Sequence, residues 1–169
     1  PAADGSSFGV SKVKNADRLA PALRVAFMES NEVMIEKFID GVEISQGIYK
    51  TRDKEVVLPA TEVVTKNEFF DYDAKYNGQV QEITPARLSP ETAAKVAAET
   101  SRIYDILHAN VIIRIDYIIA KDEQGNDLIY MLEINTTPGM TATSFIPQQV
   151  RAAGLDIKDV LSEIVENQF

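Results

Sequence analysis

Two apolar stretches, VIIRIDYIIA at residues 111–120 and LIYMLEIN at residues 128–135, flank the polar segment KDEQGN and constrain the fold more than anything else in the chain. Runs of this length, rich in isoleucine and separated by a glycine-containing turn, predict a β-hairpin. Successive strand side chains point to opposite faces, so Arg114 and Asp116 share one face, as do Glu133 and Asn135. A turn centred on Gln124 and Gly125 sets Asp116 opposite Glu133, and directly paired residues point to the same side of the sheet. Four polar side chains then gather on one face of an apolar hairpin.

Two carboxylates at neighbouring positions repel, and removing each from water is costly unless a positive charge intervenes. A divalent cation meets that need, and oxygen ligands without His or Cys suit Mg²⁺. Arg114 would stand beside it, ready to hold a phosphate or an oxyanion. The pattern alone also admits a solvated sheet face. What favours a site is NTTPGM at residues 135–140, a Pro-Gly turn with small hydroxyls at the strand end, where backbone donors can gather around an anion.

The rest of the chain limits what such a site can serve. With 45% hydrophobic and 25% charged residues in 169, it has the profile of a folded globular protein. A net charge of -9 with no basic cluster argues against nucleic acid and anionic membrane as partners. The absence of Cys excludes disulfides and thiolate chemistry and points to a reducing, cytoplasmic setting. No uncharged run reaches the roughly 18 residues of a membrane span. The chain opens with Pro1, without an initiator Met or a basic apolar leader, and is expected to be a piece of a longer protein.

Leu19, Leu23 and Phe27 predict a helix whose start is blurred by Pro21, and residues 33–38 and 42–49 predict strands joined by a turn at Asp40 and Gly41. Residues 56–65 predict another strand, and residues 66–85 a long irregular loop. Ser89 and Pro90 predict a helix start, with Val96, Ile103 and Leu107 turned inward. Asp156 caps a final helix with Ile157, Val160, Leu161, Ile164 and Val165 on its apolar stripe. Strands and helices do not alternate regularly, so the expected fold class is α+β with a mostly antiparallel sheet flanked by helices.

Weaker candidates lie outside the hairpin. DGSSFG offers Ser6, Ser7 and glycine-freed backbone to phosphates, although such a segment on its own is more often an ordinary surface loop, and no Walker A motif follows. Glu36 and Glu43 suit ribose hydroxyls if a nucleotide lies between them, and are otherwise exposed charges. Lys75 and Tyr76 could bring a cation and a phenol over a phosphate.

Taken in order, PAADGSSFGVSKV, MIEKFIDGVEIS, FFDYDAKYNG, ITPARLSPE, RIDYII and LEINTTPGMTATSFIP resemble the D-alanine–D-alanine ligase family of the ATP-grasp superfamily, over essentially the whole chain. The resemblance implies the C-terminal portion of such a ligase, with residues 1–39 a remnant of the central ATP-grasp subdomain and residues 40–169 the C-terminal domain. It assigns Glu36, Lys37, Phe38, Ile39 and Glu43 to adenine and ribose, Ser6 and Ser7 to the loop over the phosphates, and Lys75 to the terminal phosphate. Asp116, Glu133 and Asn135 become ligands of two Mg²⁺ (or Mn²⁺) ions, with Glu133 bridging. Arg114 and the Gly139 N–H stabilise a tetrahedral intermediate, and Ser144 receives the second D-alanine's carboxylate.

The implied reaction joins two D-alanines through an acyl phosphate at the expense of ATP, for peptidoglycan precursor synthesis, and Tyr76 favours D-alanine as second substrate. The full-length protein is expected to be a cytoplasmic homodimer. Val111 and Ile112 depart from the glycine and aromatic residue that many members carry. The family's phosphate-binding lysine would precede Pro1, and the part binding the first D-alanine would lie further upstream, so the isolated chain is expected to be inactive. The alternatives are an ATP-grasp ligase of D-Ala-D-Ser or D-Ala-D-Lac type, and a non-catalytic nucleotide-binding module.

Overall fold

The computed structural model describes residues 1–2, 7–65 and 80–169. The chain divides into two units, one of Pro1–Ile39 with Thr65–Gln81 and one of Asp40–Val64 with Glu82–Phe169. In the first, a 3-10 turn at Ala16–Arg18 leads into α1 (Leu19–Glu29). Pro21 is tolerated because it falls in the first turn, where backbone N–H groups have no intrahelical acceptor anyway. Residues 33–38, predicted as a strand, form none. Met34 and Ile35 are exposed there, so their apolar side chains do not contribute to a core.

The second unit is built on a six-stranded sheet of β1 (Val42–Lys50), β2 (Glu55–Val57), β3 (Thr61–Thr65), β4 (Val80–Ile83), β5 (Ile113–Lys121) and β6 (Asp127–Asn135). The strand order is β4-β3-β1-β5-β6, with β2 also on β1. β1 pairs antiparallel with β2, β3 and β5, and β5 pairs antiparallel with β6. The single strand predicted over residues 56–65 is two strands, because Pro59 has no N–H to give a ladder.

Alternation along β1 and β5 feeds two cores. Ile44, Ile48, Ile113, Ile115, Tyr117 and Ile119 meet Val96 and Tyr104 of α2 (Pro90–Ile106) on one face. On the other, Tyr49 and Ile112 meet Ile146 and Val150 of α3 (Phe145–Ala152) and Val160 and Ile164 of α4 (Ile157–Glu166). The fold is therefore α+β, an antiparallel sheet between helices.

Both predicted caps are present. Ser89 Oγ accepts from Thr92 N at 3.1 Å, and Asp156 Oδ1 from Lys158 N at 2.8 Å. The stripe of α2 differs from expectation: Thr92, Val96, Thr100 and Tyr104 are buried, while Leu107, the C-cap, is exposed. In α4, Val160 and Ile164 are buried but Leu161 and Val165 are exposed. Helix α3 was not expected, since Pro147, Gln148 and Gln149 break the apolar period. No helix among the described residues is long and apolar enough to cross a membrane.

Candidate functional site

The hairpin reaches the predicted pairing by an unpredicted route. Its turn is centred on Gln124: Lys121 pairs with Asp127, Ala120 with Leu128 and Tyr117 with Met131. Gly125 supplies the left-handed φ of 85° that the turn needs, and the Asp122 carboxylate accepts the N–H groups of Gln124 and Asn126 at 2.9 and 2.8 Å. Continued regularly, that register would set Asp116 opposite Leu132. A register shift between Asp116 and Tyr117 absorbs Leu132, so Asp116 pairs with Glu133 and Arg114 with Asn135. A one-residue slip decides which face every later side chain takes, so this bulge fixes the site.

On the other side of β5, Ser45 pairs with Asp116 and Gly47 with Arg114. The Arg114 guanidinium grips Asp116 through both oxygens, Nε to Oδ1 at 2.9 Å and Nη2 to Oδ2 at 2.8 Å. Ser45 Oγ donates to Asp116 Oδ1 at 2.6 Å. Asn135 Nδ2 donates to Asp116 Oδ2 at 3.3 Å and to Glu133 Oε1 at 3.1 Å, and Arg114 Nη2 stands 3.7 Å from Glu133 Oε1. The four residues predicted to converge do converge, with two negative charges against one positive.

The fit to a metal ion can be judged from these bonds. Among the described residues no three His, Cys, Asp or Glu gather, so a third ligand would be the Asn135 amide oxygen. A half-turn of that amide would exchange its donor for its carbonyl at the same place. The four acceptor positions of the buried Asp116 carboxylate carry Ser45, Arg114 twice and Asn135, whereas the Glu133 side chain is 63% exposed. Hard oxygen donors with a net negative charge fit Mg²⁺ or Mn²⁺, which Asp116, Glu133 and the Asn135 carbonyl would hold.

Beyond β6 the chain turns through Pro138 and Gly139 to α3. Ser144, its N-cap residue, makes no side-chain bond to the helix; its Oγ accepts from Thr141 N at 3.2 Å and lies 2.8 Å from Thr141 Oγ1. Among the described residues no side chain caps the first turn of α3, which presents backbone donors and the positive end of the helix dipole. A Cβ on Gly139 would lie 2.8 Å from Ser144 Oγ, so a larger residue there would have to turn that hydroxyl aside. Phe145 holds its ring 5.4 Å from the Arg114 guanidinium carbon, which joins the helix start to the carboxylate cluster.

The other predicted residues are not part of this cluster. Glu43 lies on β1 two residues from Ser45, on the face that carries Asp116, and is half-buried. In the first unit, Glu36, Lys37 and Phe38 are exposed and Ile39 is half-buried, with Lys12 Nζ 3.5 Å from the centroid of the Phe38 ring. Ser7 adopts a left-handed φ of 61° in a tight turn. Ser6, Lys75 and Tyr76 lie outside the described residues. Sequence reasoning passed over Ser45 and Gln149, both buried; their signal was a polar residue inside an apolar segment.

Residues 1–166 match the family model described as "D-ala D-ala ligase C-terminus". The chain is 66% identical over 169 residues to a D-alanine--D-alanine ligase of Phocaeicola vulgatus, and 63% identical to one of Bacteroides fragilis, covering all of this chain and 51% of each relative. It thus spans about half the length of the curated relatives it matches. Among solved structures, D-alanyl-alanine synthetase A from Vibrio cholerae superposes with a TM-score of 0.78 at 28% identity, over 96% of this chain and 49% of that one. The VanG D-Ala:D-Ser ligase of Enterococcus faecalis gives 0.78 at 28%, over 98% and 47%. The D-alanine--D-alanine ligase of Bacillus anthracis complexed with ATP gives 0.70 at 33%, over 92% and 48%.

Proposed function

The chain belongs to the D-ala D-ala ligase C-terminus family, and from that premise we propose that it supplies the metal, nucleotide and acceptor sites of an ATP-dependent D-alanine–D-alanine ligase. The observation that carries the reading is the convergence of Asp116, Glu133, Asn135 and Arg114 beside the uncapped start of α3.

In this reading Asp116, Glu133 and Asn135 are the residues that would hold two Mg²⁺ ions. Bound Mg²⁺ would neutralise phosphate charge during phosphoryl transfer. The carboxylate of the first D-alanine attacks the terminal phosphorus of ATP, forming an acyl phosphate and releasing ADP. The amine of the second D-alanine then attacks the acyl carbon, loses a proton and expels phosphate. Arg114 and the Gly139 N–H stabilise the oxyanion of that second step, acting where negative charge develops. Ser144 and the first amides of α3 take the acceptor's carboxylate. Glu36, Lys37, Phe38, Ile39 and Glu43 hold adenine and ribose, and Ser6, Ser7 and Lys75 hold the phosphates.

Residues 1–39 are then a remnant of the central ATP-grasp subdomain and residues 40–169 form the C-terminal domain of a cytoplasmic, homodimeric enzyme. The first D-alanine is bound by the remainder of the protein, so the isolated chain is inactive. The second reading, a D-Ala-D-Ser or D-Ala-D-Lac ligase, is not favoured: a D-Ala:D-Ser ligase shares the fold at 28% identity, whereas the relatives at 66% and 63% identity are D-alanine--D-alanine ligases. The named ligase relatives do not favour a non-catalytic module.

A coupled ADP-release assay on the full-length protein with D-alanine alone, then with D-serine or D-lactate added, tests the proposal. Robust turnover with D-alanine alone is expected. Preferential incorporation of D-serine would move the assignment to the second reading, and ADP release that no D-amino acid stimulates would end both.

A further inference from the structure

On the β3 side of β1 the ladder is interrupted. β2 covers Ile48 to Lys50 and β3 covers Glu43 to Ser45, which leaves Gln46 and Gly47 without a paired strand residue among the described residues, although the Gly47 carbonyl accepts from Leu58 N at 2.9 Å. The side-chain amide of Gln149, fully buried on α3, fills that interval. Its Oε1 accepts from Gly47 N at 2.8 Å, and its Nε2 donates to the Ser45 carbonyl at 2.9 Å and to Thr61 Oγ1 at 3.1 Å. One amide thus takes the place of a peptide group of a neighbouring strand, but it belongs to a helix.

The same contact explains Gly47. A Cβ there would collide with Ile146 Cδ1 and lie 2.9 Å from Gln149 Oε1, so the helix rests directly on the strand backbone. Gly47 pairs with Arg114 and Ser45 with Asp116, so the two β1 residues held by Gln149 are those beside the guanidinium and the carboxylate. Five residues before Gln149, about 7.5 Å along the axis, Ser144 opens α3.

We propose that Gln149 is a positioning residue for the acceptor amino acid: it fixes the height of the α3 N-terminus against Arg114 and Asp116. The inference rests on the ligase reading above. Apolar packing by Ile146 and Val150 holds the helix to the sheet, but such packing is non-directional and tolerates sliding. Bonds to a specific carbonyl and a specific N–H do not, because a shift along β1 would strand both buried groups.

The test is steady-state kinetics of the full-length protein carrying Gln149→Leu, which keeps the volume and removes the bonds. The KM for the second D-alanine, resolved from the D-alanine dependence of the initial rate, is expected to rise about tenfold, the effect of a small misplacement at a reacting site. The KM for ATP should stay within about twofold, since the ATP-binding residues assigned above are not on α3. Gly47→Ala retains Gln149 but lifts the helix, and should show the same selective rise; it decides alone if Gln149→Leu does not fold. A folded variant in which both constants rise alike, or neither moves, would overturn the inference while leaving the ligase reading intact. A wild type with no D-alanine-dependent turnover would remove that reading first.

Discussion

Ser45 and Asp116, paired across β1 and β5, are joined by a buried hydrogen bond of 2.6 Å from the serine hydroxyl to the carboxylate. Partners behind a metal-ligating carboxylate hold its orientation, and losing one typically costs about 10–100-fold in metal affinity or activity. Ser45→Ala in the full-length protein should therefore raise the Mg²⁺ concentration for half-maximal ADP release about tenfold. A Mg²⁺ requirement equal to wild type would show that the remaining partners, Arg114 and Asn135, suffice to orient Asp116.

Glu133 differs from Asp116 in exposure, and the two should fail differently. Glu133→Gln removes one charge from a side chain that is 63% exposed, so its melting temperature should stay close to wild type. Calorimetry on the full-length protein should nevertheless find Mg²⁺-dependent nucleotide binding abolished. Asp116→Asn leaves the half-buried Arg114 without the carboxylate it grips and should lower stability as well, by about 1–3 kcal/mol. Retained nucleotide binding in Glu133→Gln would remove Glu133 from the metal ligands.

On the far side of β1 from the charge cluster, β3 carries an acid-sensitive pair. Glu62, almost fully buried, accepts from Arg87 Nη2 at 2.6 Å, Nε at 2.9 Å and backbone N at 3.1 Å. The bonds from the guanidinium, more than the opposing burial, hold the Glu62 carboxyl below its ordinary value. A carboxyl lowered by folding contributes stability above its unfolded pKa of about 4.3, and that contribution is lost as pH falls through the folded value. Wild type should thus lose stability more steeply below about pH 4.3 than Glu62→Gln does. Melting curves from pH 7 to pH 3 that run parallel would contradict the linkage.

Much of this arrangement was legible in the sequence because it is written in period-two alternation. Arg114, Asp116, Glu133 and Asn135 could be placed on one face by counting alone, and the hairpin obeyed. What counting could not supply was the bulge at Leu132, which is decided by how the turn around Gly125 and the paired ends of the strands compete. Ser45, Thr100 and Gln149 were missed for a common reason: each is polar yet buried, and only the partner across space shows why. Leu107 erred in the other direction, since an apolar residue at the right spacing still lies outside if the helix has already passed the sheet.

Thr100 supplies the last test, at the opposite face of β5 from the charge cluster. Its fully buried hydroxyl donates to Gln46 Oε1 at 2.8 Å and lies 2.8 Å from the Tyr117 hydroxyl, tying α2 to β1 and β5 one residue from Asp116. Thr100→Val keeps the shape and leaves two buried polar groups short of a partner, a loss of about 1–3 kcal/mol. Urea unfolding should show a lower midpoint with an unchanged slope, since the surface exposed on unfolding is the same. Burial also pushes the Tyr117 phenol from 10.0 up to about 12, with the Thr100 bond opposing the shift. A phenol raised by folding contributes stability below its unfolded pKa of about 10 and loses it as pH climbs through the folded value. In ultraviolet titration Tyr117 should therefore ionise only near pH 12, and removing the opposing bond in Thr100→Val should push it higher still. Ionisation of every tyrosine near pH 10 in the folded protein would mean that water reaches this network.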